Sequence, residues 1–209
     1  MKVTTTAFAD GGAIPAEFAL GKPDAGSHVA LSANRNPDLA WSGAPQGTRS
    51  YAIVCVDPDV PSRGDDVNKE GRTVPASLPR VDFHHWVLVD LPFSIVAIAR
   101  GEFSNGVTAH GKPGPGAKHG ARQGVNDYTG WFAGDPSMAG DYYGYDGPCP
   151  PWNDAIVHRY RFTVYALGVP RLTLDGRFDA AQALRAMEGH VLAQAFVTGR
   201  YTLNPDVKL

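Results

Sequence analysis

Ser50-Tyr51-Ala52-Ile53-Val54-Cys55-Val56-Asp57-Pro58-Asp59-Val60-Pro61-Ser62-Arg63 is the stretch on which the reading of this chain turns. Residues 50–57 form an almost continuous apolar run, the mark of a strand buried on both faces. At its end the chain places two carboxylates, two prolines, a hydroxyl and a guanidinium. Stability alone rarely calls for such a cluster. A preformed polar pocket does, because its groups must be held in place before a ligand arrives.

Two further runs have strand character. In residues 83–91, Phe83-His84-His85-Trp86-Val87-Leu88-Val89, strict alternation puts His85 on a face with Phe83, Val87 and Val89, and His84 on the other with Trp86 and Leu88. The two histidines then point apart, a poor way to bind one metal ion. In residues 158–167, His158, Tyr160, Phe162 and Val164 share one face, and Phe162 and Val164 mark it as the core side. His158 and Tyr160 then sit inward near a rim, either as a satisfied structural pair or facing a ligand. Before this strand, Gly147-Pro148-Cys149-Pro150-Pro151 reads as a rigid loop. Its prolines fix φ and remove donors, and Gly147 allows close backbone approach and offers an N–H.

The remaining sequence sets the frame. With 209 residues the chain is long enough for one sizeable core, and residues 1–209 read as a single domain. Glycine (24) and proline (17) together make up about a fifth of it, which favours turns and short strands over long helices. Residues 2–8 and 39–42 read as short strands, and residues 10–38 mostly as loop. Residues 101–152 carry little periodicity, but Tyr128, Trp131, Phe132, Tyr142, Tyr143, Tyr145 and Trp152 argue for an ordered loop with its own small core. Residues 179–196 read as a helix: Asp179 caps it, Gln182 completes a capping box, Leu184, Met187, Val191 and Ala195 form an apolar stripe, and Gly199 follows as a stop. Short strands with one or two helices predict a β-sandwich with helical additions.

Several functions are disfavoured. A formal net charge of -2, with no basic stripe among aromatics, argues against a nucleic-acid partner. Neither a signal peptide nor a stretch long enough for a membrane span is recognisable, so a cytoplasmic protein is expected. Two cysteines make no disulfide framework; Cys55 reads as a small core residue and Cys149 as more exposed. No metal motif occurs, and no cofactor is expected. Gly106-Val107-Thr108-Ala109-His110-Gly111-Lys112 approaches a phosphate-binding loop, but Pro113 stands where the Ser/Thr belongs.

Taken together and in this order, Asp57-Pro58-Asp59-Val60-Pro61, the His84-His85 pair, Gly147-Pro148 and His158-Arg159-Tyr160 resemble the motifs of the phosphatidylethanolamine-binding proteins, in particular their bacterial, Raf-kinase-inhibitor-like branch. The resemblance runs from about Trp41 to Tyr201. It implies a mainly β fold, a two-sheet antiparallel sandwich with peripheral helices. It also implies a small anion pocket for phosphate-like or carboxylate groups, phospholipid head groups among them. By motif position the implied ligand-binding residues are Asp57, Pro61, His85, Gly147, Pro148, His158 and Tyr160.

Within that pocket, His85, His158, the Tyr160 hydroxyl and the Gly147 N–H are the expected donors. Asp57 is expected to accept from His85 and favour its charged form, and Asp59 to cap the turn. Arg63 either adds charge at the mouth or is a solvated loop cation. The rival reading is a hydrolase using a His-Asp pair in the same pocket, for which Ser62 is the nearest hydroxyl; no Gly-x-Ser-x-Gly elbow occurs. A homodimer through the aromatic loop is the remaining partner considered.

Overall fold

The computed structural model describes all 209 residues. Ten strands form three sheets: β1 (Lys2–Thr4), β2 (Gly21–Asp24), β3 (His28–Leu31), β4 (Leu39–Ser42), β5 (Ser50–Pro61), β6 (Arg80–Pro92), β7 (Ala97–Ile98), β8 (Arg122–Gln123), β9 (His158–Leu167) and β10 (Val191–Tyr201). The largest sheet has the order β10-β9-β5-β6-β8 and is antiparallel throughout. The second, β1-β4-β7, is antiparallel too. Val3, Leu39 and Trp41 from it meet Ile53, Cys55, Trp86, Leu88 and Phe162 from the large sheet in one buried core. The expected sandwich is therefore present. No helix is long and apolar enough to cross a membrane.

β5 lies at the centre of the large sheet, which accounts for its apolar run. Tyr51, Ile53 and Cys55 enter the inter-sheet core, while Ala52 and Val54 enter a second core under α2 (Ala180–Met187). The other α-helix is the single turn α1 (Tyr128–Trp131). β5 continues to Pro61, farther than its apolar run. Asp57 pairs with Phe83 and Val60 with Val81, so β5 carries one extra residue across Pro58-Asp59. A bulge is where a strand tolerates a proline, which has no N–H for the ladder.

β6 is irregular too. Cys55 pairs with Trp86 but Val56 pairs with His84, which leaves His85 unopposed. This bulge overturns the strict alternation expected of the strand. Trp86 and Leu88 fall in the inter-sheet core and Val87 and Val89 under α2, and His85 joins the Trp86 side. The two histidines do point apart, as alternation required.

The C-terminal helix is shorter than expected. The capping box forms, with Asp179 accepting from the Gln182 N–H at 2.8 Å and the Gln182 side chain accepting from the Asp179 N–H at 3.0 Å. The helix ends at Met187, Gly189 turns the chain at φ 77°, and β10 follows as an edge strand along the whole of β9. Val191 and Ala195 belong to that strand. Gly199 is no helix stop: a Cβ there would overlap the Ile14 side chain. Residues 10–38, read mostly as loop, contain the β2-β3 hairpin.

Within the long loop, Tyr128, Phe132 and Tyr142 do pack together, with ring centroids 5.2 to 5.4 Å apart. Tyr145 instead joins the main core beside Trp86, and Trp152 stacks on His28.

Candidate functional site

A cavity of about 280 Å³ opens at the end of the large sheet where β5, β6 and β9 lie side by side. Asp57 comes from the β5 bulge, Phe83 and His85 from β6, and His158 and Tyr160 from the start of β9. Pro61 and the loop after β5 form one side, with Arg63 and Asn68. Cys149, Pro150 and Pro151 form the other, and Tyr128 and Trp131 of α1 complete the mouth. The volume suits a head group or a small metabolite rather than a large ligand.

Four of the residues implied by the resemblance lie on the floor: Asp57, His85, His158 and Tyr160. All are buried, at 1%, 3%, 0% and 0% exposure. Pro61 is in the wall. Gly147 and Pro148 lie one layer behind it. The Gly147 N–H donates to the Asn34 side-chain oxygen at 2.8 Å, and the Pro148 carbonyl accepts from the Leu20 N–H at 2.9 Å. The expected Gly147 donor is therefore already engaged. A glycine is required there because a Cβ would overlap the Phe18 carbonyl.

The floor is organised by a ladder of charges. His158 Nδ1 donates to Asp57 Oδ2 at 2.7 Å, and its Nε2 donates to Asp154 Oδ2 at 3.1 Å. Asp154 in turn takes Arg80 Nη2 on its other oxygen at 3.0 Å. Burial alone would push the His158 pKa down. The hydrogen bonds and charges of the two carboxylates outweigh it and raise the pKa to about 9. The same bonds hold Asp154 below its ordinary value against its own burial. His158 is thus an imidazolium with both N–H groups spent, and it has none left for a ligand.

His85 is held differently. Its Nδ1 donates to the Asp146 carbonyl at 2.8 Å. Burial lowers its pKa, opposed by the nearby charge of Asp57. A carbonyl accepts only, so Nδ1 carries the hydrogen, and in the neutral ring the lone pair lies on Nε2. No hydrogen bond joins Asp57 to His85; the Asp57 partner is His158. The expectation that Asp57 makes His85 charged is corrected accordingly.

Asp57 Oδ1 accepts from the Asp59 N–H at 2.8 Å, which closes the turn. Asp59 does not cap it. Its carboxylate takes the guanidinium of Arg159 through both oxygens, at 2.7 and 2.8 Å. Arg63 is an exposed loop cation beside Asp65 at 3.4 Å, at the cavity mouth.

One buried polar atom on the floor makes no close hydrogen bond in the protein: the hydroxyl of Tyr160, whose neighbouring acceptor is the Asp57 carboxylate. Burial, with the Asp57 charge close by, holds this phenol protonated. A sealed hydroxyl without a hydrogen bond costs roughly 1–3 kcal/mol, so an unsatisfied one beside a cavity calls for an explanation.

Several supporting residues were not singled out from sequence. Asp154 and Arg80 complete the ladder. Asn153 donates to the Asp66 and Arg72 carbonyls at 2.8 and 3.0 Å and accepts from the Asn68 N–H at 3.0 Å, pinning the loop that walls the pocket. Asp146, buried at 1%, takes Asn34, Lys112 and Asn126 at 2.6 to 2.8 Å, which fixes the segment whose carbonyl holds His85. Only the position of Asp154 four residues before His158 carried any local signal. No group of three His, Cys, Asp or Glu side chains is arranged to hold a metal ion.

Comparison with known proteins agrees with this architecture. The family model described as phosphatidylethanolamine-binding protein matches residues 4–202. A UPF0098 protein of Methanothermobacter thermautotrophicus is 30% identical over 201 residues, covering 96% of this chain and 98% of its own length. The crystal structure of a protein from Chlamydia trachomatis, described as a putative homologue of the same family, superposes with a TM-score of 0.63 at 26% identity, over 96% of this chain and 95% of the other. The YbcL protein of Escherichia coli, described as a member of the mammalian family, shares the fold with a TM-score of 0.66 at 24% identity, over 96% and 97% of the two chains.

Proposed function

We propose, because this chain belongs to the phosphatidylethanolamine-binding protein family, that its pocket binds a small molecule by a phosphate-like or carboxylate head group, in a sensing or regulatory role without catalysis. The observation that carries this reading is a cavity of head-group size whose floor includes the buried Tyr160 hydroxyl, a donor without a close hydrogen bond in the protein. Hydrogen bonds to charged groups in such settings contribute about 1.5–3 kcal/mol each. The His158 imidazolium supports the reading from behind, because it offsets the Asp57 charge that would otherwise repel an anion. Arg63 adds positive charge at the mouth.

The hydrolase alternative has less to rest on. The Ser62 hydroxyl makes no hydrogen bond to either histidine; His158, the ring paired with Asp57, has no free nitrogen to act as a base, and His85, which keeps one, has no carboxylate partner. The Cys149 thiol is pushed up to about 12 by burial, so it is a poor nucleophile.

The test is titration calorimetry with phosphoethanolamine and, as the uncharged-head control, ethanolamine. Tyr160→Phe is expected to weaken binding of phosphoethanolamine by about tenfold or more. The same variant is expected to be at least as stable as the parent, because it deletes an unsatisfied buried hydroxyl. Anion affinity unchanged in Tyr160→Phe, or equal binding of ethanolamine, would refute the proposal.

A further inference from the structure

We infer that the pocket selects oxyanions that still carry a hydrogen, such as a phosphate monoester in its singly charged form, and rejects fully deprotonated anions of the same shape. This inference rests on the anion-binding reading above and deepens it. Three polar groups on the floor retain hydrogen-bonding capacity, and they are not all donors. Tyr160 Oη donates. His85 Nε2 presents a lone pair, because its Nδ1 hydrogen is committed to the Asp146 carbonyl. The Asp57 carboxylate accepts only; each oxygen uses one of its two lone pairs, one on His158 and one on the Asp59 N–H.

A bare anion brings acceptors alone. It would satisfy Tyr160 and set its remaining oxygens against a lone pair and a carboxylate. An anion with one P–O–H or C–O–H offers an acceptor to Tyr160 and a donor to either His85 or Asp57, so two of the three groups are matched where a bare anion matches one. Mismatched buried acceptors discriminate strongly, because a site built for a hydrogen-bond donor leaves its own groups unpaired when the donor is missing.

The competing route is protonation of His85 itself, which would turn Nε2 into a donor and admit any anion. The groups facing His85 bear on this from every side: Asp57 on β5, His158 and Tyr160 on β9, Phe83 on β6, Asp127 and Tyr128 at α1, and the Asp146 segment with Lys112. The carboxylates favour the charged ring. His158 stands as a cation at Asp57, and burial works against a second one. The hydrogen therefore comes with the ligand.

The deciding pair of probes is phosphoethanolamine and its sulfate ester analogue, 2-aminoethyl hydrogen sulfate. At pH 5.5 each head group carries about one negative charge, since a phosphate monoester loses its second proton near about pH 6. Only the phosphate then has an acidic hydrogen. Calorimetry at pH 5.5 is expected to show phosphoethanolamine binding at least about tenfold tighter than the sulfate ester. Its affinity is expected to fall towards tenfold per pH unit between pH 7 and 8, as the monoanion is depleted.

Equal binding of the two at pH 5.5 would overturn the selection and leave the anion pocket standing. So would phosphoethanolamine binding that strengthens towards pH 8. Binding of neither probe would sink the selection and the anion-pocket reading together. Asp57→Asn, which replaces an acceptor with an amide donor, is expected to narrow the gap between the probes; the parent protein decides the question if that variant does not fold.

Discussion

His85 and His158 line one cavity and are buried to 3% and 0% exposure, yet the protein treats them in opposite ways. His158 sits between two carboxylates with both nitrogens donating, and its pKa is raised to about 9. His85 faces a carbonyl on one nitrogen and the cavity with the other, and burial lowers its pKa. Burial is similar for both; the partners differ. A buried imidazole becomes a fixed cation when acids hold both its ends, and a neutral ring with an available lone pair when a carbonyl holds only one. The first is built for structure and for neutralising Asp57, the second for meeting a ligand.

The largest effect expected from breaking this contrast is on stability. His158→Ala leaves Asp57 as a buried carboxylate without its cation and Asp154 with Arg80 alone, a loss of about 3–5 kcal/mol. His85→Ala gives up one hydrogen bond and ring packing at the edge of a cavity, and should lose less. Urea denaturation of the two variants tests the order; an equal or greater loss at His85 would erase the distinction.

The pH dependence of stability sharpens the contrast, because the two rings act on opposite sides of neutrality. The folded pKa of His158 lies above its unfolded value of about 6.5. Its contribution is complete below that value and is lost as pH rises through about 9, an effect on the order of 3 kcal/mol. The folded pKa of His85 lies below the unfolded one, so its neutral state adds stability above about pH 6.5 that is lost as pH falls. Melting curves from pH 5 to 10 are expected to show the alkaline loss in the parent and in His85→Gln. If His158→Gln shows the same alkaline loss, the ladder is not its source.

Much of this arrangement was legible from residue order. The run that forms β5 and the alternation of β9 come directly from apolar periodicity, and β9 spans the residues that the alternation marked. Asp57, His158 and Tyr160 reach the cavity on the faces that period two assigns. His85 reaches it for a reason that period two does not contain, the bulge that leaves it without a partner on β5.

The β10 error has a similar origin. Leu184, Met187, Val191 and Ala195 satisfy a helical stripe, but alternation from Ala193 through Val197 to Tyr201 satisfies a strand equally well, and the free edge of β9 decided between them. Long-range polar partners were out of reach altogether. Nothing local shows that Asn34 takes the Gly147 N–H across 113 residues, or that Arg80 closes on Asp154.

Nitrogen-detected NMR of the histidine side chains, titrated from pH 5 to 10, addresses the central contrast most directly. Near pH 7 the account predicts one buried ring with both nitrogens protonated, releasing its proton only near about pH 9 and assigned to His158 by its loss in His158→Gln. It predicts a second buried ring protonated on Nδ1 alone, assigned to His85. A neutral His158 at pH 7, or a doubly protonated His85 there, would contradict it.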